Sequence, residues 1–365
     1  QGDAVADTGE ALFVPDTDGA FRQNADAGVA ALGLLDRGIL TVTRAQITLA
    51  GTAPSPQVGR TINTVLEGAA DGTLTDLEIT YLDDGSPAAF TLAYDAATGA
   101  RVEGRLPTSL DVDDLASALR LPSVGGTPAT ALEDAEAGAT AEILSVAASL
   151  LPEIETLTYA RADGASALDM VLSPGANLDL IAADLSERLP GDVVFSVGPL
   201  DTPPPDGASR TNAATGLDQL AQNGFWLPAT AFDPDKATCT TQTDAVLARN
   251  KVSFLPSSAD LDATANRALD ALTAVILACT DADLTLEVVG HTDTSGNAFD
   301  NEALSLERAE VVLEELIARG VPEAAMTAFG VGGSEPIATN DTAEGRAANR
   351  RTEIIWFAPG DLREP

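Results

Sequence analysis

Lysine, histidine and sulfur are scarce in this chain. Its 365 residues hold 20 basic side chains against 56 acidic ones, with one histidine, two cysteines and two methionines. Lys236 and Lys251 are its only lysines. The formal net charge of −36 repels phosphate backbones and anionic lipid surfaces, which argues against nucleic acid and the membrane face as partners. Two thiols and one imidazole are too few ligands for a zinc site. The acid-spaced segments Asp16-Thr17-Asp18-Gly19 and Asp293-Thr294-Ser295-Gly296-Asn297 lack the closing glutamate of a calcium loop, with Ala27 and Leu304 in its place. No metal and no cofactor is therefore expected. No apolar run reaches the ~18 residues of a membrane-spanning helix. The sequence opens at Gln1 with neither a methionine nor an export-signal pattern, a start that a removed export signal or a trimmed anchor would explain. Aromatics make up 4% and hydrophobic residues 45%, so the cores are aliphatic and the length suits two or three domains.

The two cysteines, Cys239 and Cys279, each stand near an element end within one domain. Their placement suits a disulfide closing a loop of 40 residues, worth ~4 kcal/mol by loop entropy. The alternative is a pair of buried thiols.

Residues 1–20 are acidic and weakly periodic, a flexible N-terminus. From Asn24, as a helix cap, the spacing predicts a helix with Val29, Leu32 and Leu35 on one stripe. Two strands follow within Leu40–Gly51, then a helix after Pro54 and a strand at Leu74–Leu82, giving the order α-β-β-α-β over 21–83. Over 84–200, a partial β-β-α unit (Ala89–Tyr94, Arg101–Leu106, Asp111–Leu119) precedes a second copy. That copy has a helix at Ala131–Leu151, strands at Ile154–Ala160 and Ala165–Leu172, a helix at Asn177–Leu189 and a strand at Val193–Val197. By element order, and by a glycine at the exit of the second strand (Leu49-Ala50-Gly51-Thr52), these modules resemble BON-type units of exported bacterial proteins. Asp201–Gly216 holds three consecutive prolines, and 201–231 reads as a semi-rigid linker with a short amphipathic segment at Leu217–Leu227.

After the linker, 232–358 alternates strands and helices: a strand at Val252–Phe254, a helix from about Asp260 to Ala278, a strand at Leu284–Gly290, a helix from Asn301 to Arg319, and strands at Met326–Val331 and Thr352–Phe357. The fold class is α/β (α+β), a β-α-β-α-β mixed sheet with helices on one face, and 359–365 is a tail. Here the chemistry concentrates. Asp293 follows an apolar strand in a glycine-bounded turn, and Arg308 lies on the next helix, one face of which carries Asn301, Leu304, Arg308 and Val312. An acid and a fixed guanidinium fork together suit a small zwitterion. The spacing N-x-x-L-S-x-x-R-A-x-x-V-x-x-x-L is complete at Asn301, Leu304, Ser305, Arg308, Ala309, Val312 and Leu316. This stretch, GHTD included, resembles the OmpA-like peptidoglycan-binding domain over roughly Phe232–Ala358.

The resemblance implies that Asp293 takes the ammonium and Arg308 the carboxylate of meso-diaminopimelate in the peptidoglycan stem. Asn301, Leu304 and groups around Thr292 and the 254–257 loop complete the pocket. An intramolecular Asp293–Arg308 salt bridge is the competing account of the same spacing. Many family members carry an acid just after the strand phenylalanine, whereas Leu255 follows Phe254 here. Gly345–Arg351 also resembles the family's GRxxNRR, with helix capping and surface ion pairing as the expected work of its arginines and support of the pocket or contact with glycan as the alternative. His291 is expected to be a hydrogen-bonded turn residue, since no nucleophile accompanies it. The implied protein is a non-enzymatic binder of peptidoglycan in the periplasm of a Gram-negative bacterium, with outer-membrane association left open. The alternative is an envelope assembly module whose αβ repeats bind a protein or lipid partner, the C-terminal domain being structural.

Overall fold

Short amphipathic segments separated by glycine, proline and Asx turns build small sheets here, all but one with helices in the same stretch of chain. The computed structural model describes residues 17–361, so most of the expected flexible N-terminus and the end of the tail lie outside the described residues. The chain divides into two units, one running to residue 88 with 105–109 and 129–137, the other taking 89–104, 110–128 and 138 onward.

The first unit runs α1 (Ala20–Leu32), β1 (Arg37–Val42), β2 (Gln46–Ala53), α2 (Pro56–Leu66) and β3 (Leu74–Tyr81). β2 is central, antiparallel to β1 and parallel to β3. Ile47, Leu49, Ile62, Leu66, Ala27 and Ala31 form its core. Asn24 is no cap. The helix starts four residues before it, which rotates Val29 to the surface and Asn24 into the interior. There the Asn24 amide donates to the carbonyls of Thr43 (3.1 Å) and Arg44 (3.2 Å). Its oxygen accepts from the Ala70 N–H (2.9 Å) and the Thr73 hydroxyl (3.0 Å). One side chain thus ties the β1–β2 turn to the loop after α2. Asn24→Ala removes four part-buried hydrogen bonds at once, and a loss of about 1–3 kcal/mol is expected in urea denaturation. An unchanged midpoint would refute this role.

β4 (Ala89–Asp95), β5 (Gly99–Pro107), α3 (Val112–Leu119), β6 (Val124–Gly125) and β7 (Ala129–Ala131) follow. β6 runs parallel to β5 and adds a last strand to the unit expected as β-β-α, which still lacks a first helix; two residues are too few for any alternation to show in sequence. Then come α4 (Thr140–Ala148), β8 (Ile154–Ala162), β9 (Ala165–Leu172), α5 (Leu178–Arg188) and β10 (Val194–Pro199). α4 is shorter than the expected Ala131–Leu151 helix. Ala131 ends β7, Asp134 spends its carboxylate on the N–H groups of Ala88 and Glu136, and Gly138 has φ 58°. As expected, Asn177 caps α5, accepting from the Leu180 N–H. β4 pairs antiparallel with β8, so the sheet order is β10-β9-β8-β4-β5-β6, with β7 beside β5.

The stretch read as a linker contains a three-stranded antiparallel sheet: β11 (Ser209–Thr211), β12 (Asp218–Gln222) and β13 (Phe225–Pro228). The expected amphipathic segment at 217–227 is its hairpin. Asn223 and Gly224 both have positive φ (51° and 81°), the two-residue turn that matches strand twist. Arg210 stacks on Trp226 (4.1 Å) and ion-pairs with the buried Glu155, so this sheet is held against β8.

The C-terminal elements are α6 (Lys236–Arg249), α7 (Ala265–Thr280), β14 (Thr285–His291), α8 (Ala298–Ala318), β15 (Met326–Gly330), α9 (Ala343–Asn349) and β16 (Arg351–Phe357). The sheet order is β15-β14-β16, with β15 parallel and β16 antiparallel to β14. Leu286, Val288, Ile354 and Trp356 share the core with Leu269, Leu272, Val312 and Leu316. Ile355, on the opposite sheet face, is exposed. The expected first strand, Val252–Phe254, is not in this sheet. Pro256 lacks an N–H, Ser257 has φ 56° and the Leu255 N–H bonds the Asp260 carbonyl, so the chain folds back and Phe254 makes a single bridge to Leu261. Cys239 and Cys279 form a disulfide that joins α6 to α7 inside the core.

A buried polar cluster joins β8's entry to this domain. Arg319, fully buried, donates from Nε to Asp270 (2.8 Å), from one terminal nitrogen to Glu315 and from the other to the Asn266 oxygen (2.6 Å). The Asn266 amide reaches Glu153 (2.9 Å), which also faces Arg267 (2.8 Å). Phe225 lies against the Arg319 guanidinium (4.6 Å).

Candidate functional site

A close helix–sheet contact positions the site. Gly290 of β14 and Gly330 of β15 are register partners beneath the first half of α8. A Cβ on Gly290 would lie 2.0 Å from the Ser305 carbonyl oxygen, and one on Gly330 would lie 2.2 Å from the Leu306 nitrogen. Two glycines side by side let the helix sink onto the strand ends. Ser305 fixes it there by accepting the Gly332 N–H (2.9 Å). Arg308, one turn further on, is carried to the mouth of β14.

Asp293, Arg308, Asn301, Thr292 and Leu304 line one cavity of about 590 Å³, so the structure brings all five expected residues together. Arg308 is 9% exposed. Its Nε donates to the Ser258 carbonyl (2.8 Å), and the guanidinium lies 5.0 Å from the Phe254 ring centre. Among the described residues no acceptor takes its terminal nitrogens. Burial and the neighbouring Arg350 push its pKa below the usual arginine value, yet a guanidinium stays charged at neutral pH.

Asp293 is equally buried and has another partner. Its Oδ2 accepts from Arg350 (2.6 Å) and its Oδ1 from the Ser295 N–H (2.8 Å). The direct Asp293–Arg308 salt bridge is absent; the two charges face one cavity. Burial pushes the Asp293 carboxyl up, but the hydrogen bonds of Arg350 and Ser295 outweigh it and hold the group below its ordinary range. Arg350 thus belongs to the site, beyond the surface pairing expected of it. Arg346 reaches the Asn340 carbonyl, and Arg351 pairs with Glu353.

The remaining expectations need adjustment. Asn301 secures the turn, its amide donating to the carbonyls of Asp293 (3.1 Å) and Ser295 (3.0 Å). The Thr292 N–H is committed to the Gly332 carbonyl (2.9 Å), which leaves it unavailable to a ligand. Leu304 is half-buried at the cavity wall, while Ser305 and Val312 face inward and hold α8 to the sheet. His291 is no turn residue. It ends β14, buried, with both ring nitrogens lacking a hydrogen-bond partner and Glu353 at 3.5 Å; burial and then Arg351 lower its pKa. No acid follows Phe254, but Asp262 from the same loop lines the cavity. Phe254 as the platform under Arg308 was not anticipated, because its place depends on the fold-back at Pro256.

Among the described residues no helix is long and apolar enough to cross a membrane. Residues 253–350 match the OmpA family. The peptidoglycan-binding protein ArfA of Mycobacterium tuberculosis is 32% identical over 154 residues, 41% of this chain and 47% of that protein. The probable lipoprotein YiaD of Escherichia coli is 42% identical over 107 residues, 29% of this chain and 47% of that protein. The chain therefore spans about half the length of these curated relatives. Among solved structures, the peptidoglycan-associated lipoprotein from Burkholderia pseudomallei is 25% identical, covering 33% of this chain and 99% of that one at a TM-score of 0.28. The segment from Ser253 to Arg350, which carries the cavity, its glycine pair and both facing charges, is an OmpA-family domain.

Proposed function

We propose that this domain holds peptidoglycan non-covalently, by clamping the diaminopimelate of a stem peptide between Asp293 and Arg308. The observation that carries this reading is the buried Arg308 fork, anchored through Nε while its terminal N–H groups open to the cavity. Such a fork binds a carboxylate through two parallel hydrogen bonds with little loss of side-chain freedom. Asp293, held ionised and aimed by Arg350 and Ser295, accepts the ammonium of the same amino-acid centre. Both poles of a zwitterion are matched, and retention needs no bond to be made or broken. The protein is then a non-enzymatic, periplasmic attachment to the cell wall, and its α-β-β-α-β modules, read as BON-like on element order, are carried on that attachment.

Calorimetry of the full chain with a diaminopimelate-containing muropeptide tests this. Saturable binding is expected, and Asp293→Asn should weaken it by roughly tenfold or more, since a charge-assisted contact contributes about 1.5–3 kcal/mol. No heat with the wild-type chain, or equal affinity in the variant, would remove the clamp.

A further inference from the structure

In the first unit β1 is an edge strand, paired with β2 alone among the described residues. Its counterparts are not edges. In the α-β-β-α-β order β8 holds the place of β1, and β4 holds it in the module that lacks a first helix. These two strands pair with each other, from Phe90 opposite Arg161 to Asp95 opposite Thr156. Their contact fuses two modules into one sheet and carries buried Phe90, Leu92, Tyr94, Leu157 and Tyr159 across the seam. The described chain thus holds three such strands, of which two satisfy each other. β1 is the odd one.

The exposed edge of β1 has the polarity of a joining strand. The Thr43 N–H donates to the Gln46 carbonyl (2.8 Å), and antiparallel alternation then turns the N–H groups of Thr41 and Ile39 toward β2. Those of Val42, Leu40 and Gly38 point outward. Leu40 and Val42 also lie beneath α1, where a Cβ on Gly28 would touch both. Val29 of α1 is 62% exposed. It lies on the flank away from Gln23, whose amide reaches the Gly68 carbonyl after α2, so Val29 overlooks the free edge. An unpaired row of donors and acceptors beside apolar surface is a template for another strand.

We propose that β1 is a dimerisation edge whose partner is a second copy of this chain, β1 pairing antiparallel with itself as β4 pairs with β8. A register centred on Leu40 meets every constraint. It sets Leu40 opposite itself and Gly38 opposite Val42 as hydrogen-bonded pairs, both on the face under α1. Ile39 then stands opposite Thr41 as a non-hydrogen-bonded pair on the outer face. The result is a six-stranded sheet about a twofold axis, with the two Val29 side chains brought to its seam.

Sedimentation of the full chain tests the state, and cross-linking tests the register. A concentration-dependent dimer is expected. Ile39 and Thr41 are exposed on the outer face, so Ile39→Cys and Thr41→Cys leave the fold intact. Non-hydrogen-bonded partners have Cβ atoms about 4.5–5.5 Å apart. A mixture of the two variants should therefore give a covalent dimer on oxidation, and either variant by itself should not. A monomer up to the solubility limit overturns the proposal, as does a dimer whose mixture fails to cross-link. Equal cross-linking of a single variant by itself overturns the register.

Discussion

Replacing Arg308 with alanine is expected to lower muropeptide affinity on the order of 10²–10³-fold. Truncating one partner of a buried, hydrogen-bonded charge pair costs about 2–5 kcal/mol, and each 1.4 kcal/mol is tenfold. The physical reason is the setting of this guanidinium. Phe254 on one side and the Ser258 carbonyl at Nε fix the plane of the fork before any ligand arrives. Arg308→Lys separates geometry from charge. An ammonium supplies a charge at the same place but neither the two parallel bonds nor the stacked plane, so its affinity should fall between wild type and alanine. Titration calorimetry of the three proteins reads this order, and the melting temperature controls for folding, since the Ser258 contact contributes only about 1 kcal/mol. Equal affinity in wild type and lysine variant would show that a point charge suffices.

Replacing Arg319 with methionine should cost about 3–5 kcal/mol of stability, because it leaves buried carboxylates without their cation. The loss should also depend on pH. Glu153, Asp270 and Glu315 gather around two guanidiniums, those of Arg319 and Arg267, so the acids are in excess by one. Burial, together with Glu153 and Glu315, pushes the Asp270 carboxyl up to about 7 despite Arg319, and burial raises Glu153. The unfolded chain titrates these groups at ordinary carboxylate values near 4. Between those limits the native state binds more protons than the unfolded one. Its stability is therefore greatest near the lower limit and declines as pH rises toward 7. Asp83 and Asp293, whose pKa values are held down, act in the opposite sense only below that window. His291, whose pKa is lowered by burial, opposes the trend inside it as pH rises toward the ordinary imidazole value near 6.5, but it is one group against the raised Asp270 and Glu153. Urea melts at pH 5 and pH 8, followed by the fluorescence of Trp226 and Trp356, should show the wild type more stable at the lower pH. Arg319→Met should steepen this dependence. A pH-independent midpoint, or a loss within the error of the extrapolation, would refute the linkage.

The site was legible where its residues are close in sequence. Asn301, Leu304 and Arg308 are spaced by a helix turn, and Asp293 follows the strand directly, so spacing puts them on consecutive elements, and the resemblance to the OmpA-like domain joins them into one site. Arg350 reads in sequence as a surface residue first and as pocket support second, because its approach to Asp293 depends on β16 lying antiparallel to β14, with His291 opposite Arg351. That is a pairing between distant segments, and no local pattern encodes it. Asn24 was misread for a related reason. Its side-chain chemistry suits a cap, but its four partners lie on two later connections, the β1–β2 turn and the loop after α2. The small sheet at β11–β13 did have a local signal in Asn223-Gly224, hidden by the three prolines upstream that marked the whole stretch as linker. The α-β-β-α-β order survived such errors because it depends on the succession of elements rather than on their ends.

The cavity's charge has a consequence at longer range. Lys251, Arg308, Arg350 and Arg351 line it, against Asp262 and Asp293, in a chain whose formal charge is −36. On the proposed function, an anionic cell-wall polymer is repelled by the net charge of the chain and least so at this mouth. A mouth-first approach is then favoured over other orientations. Discrimination then begins before contact, in the angle of approach. At physiological ionic strength charges are felt over roughly 8 Å, so the guidance acts within a few water layers of the wall and fades in concentrated salt.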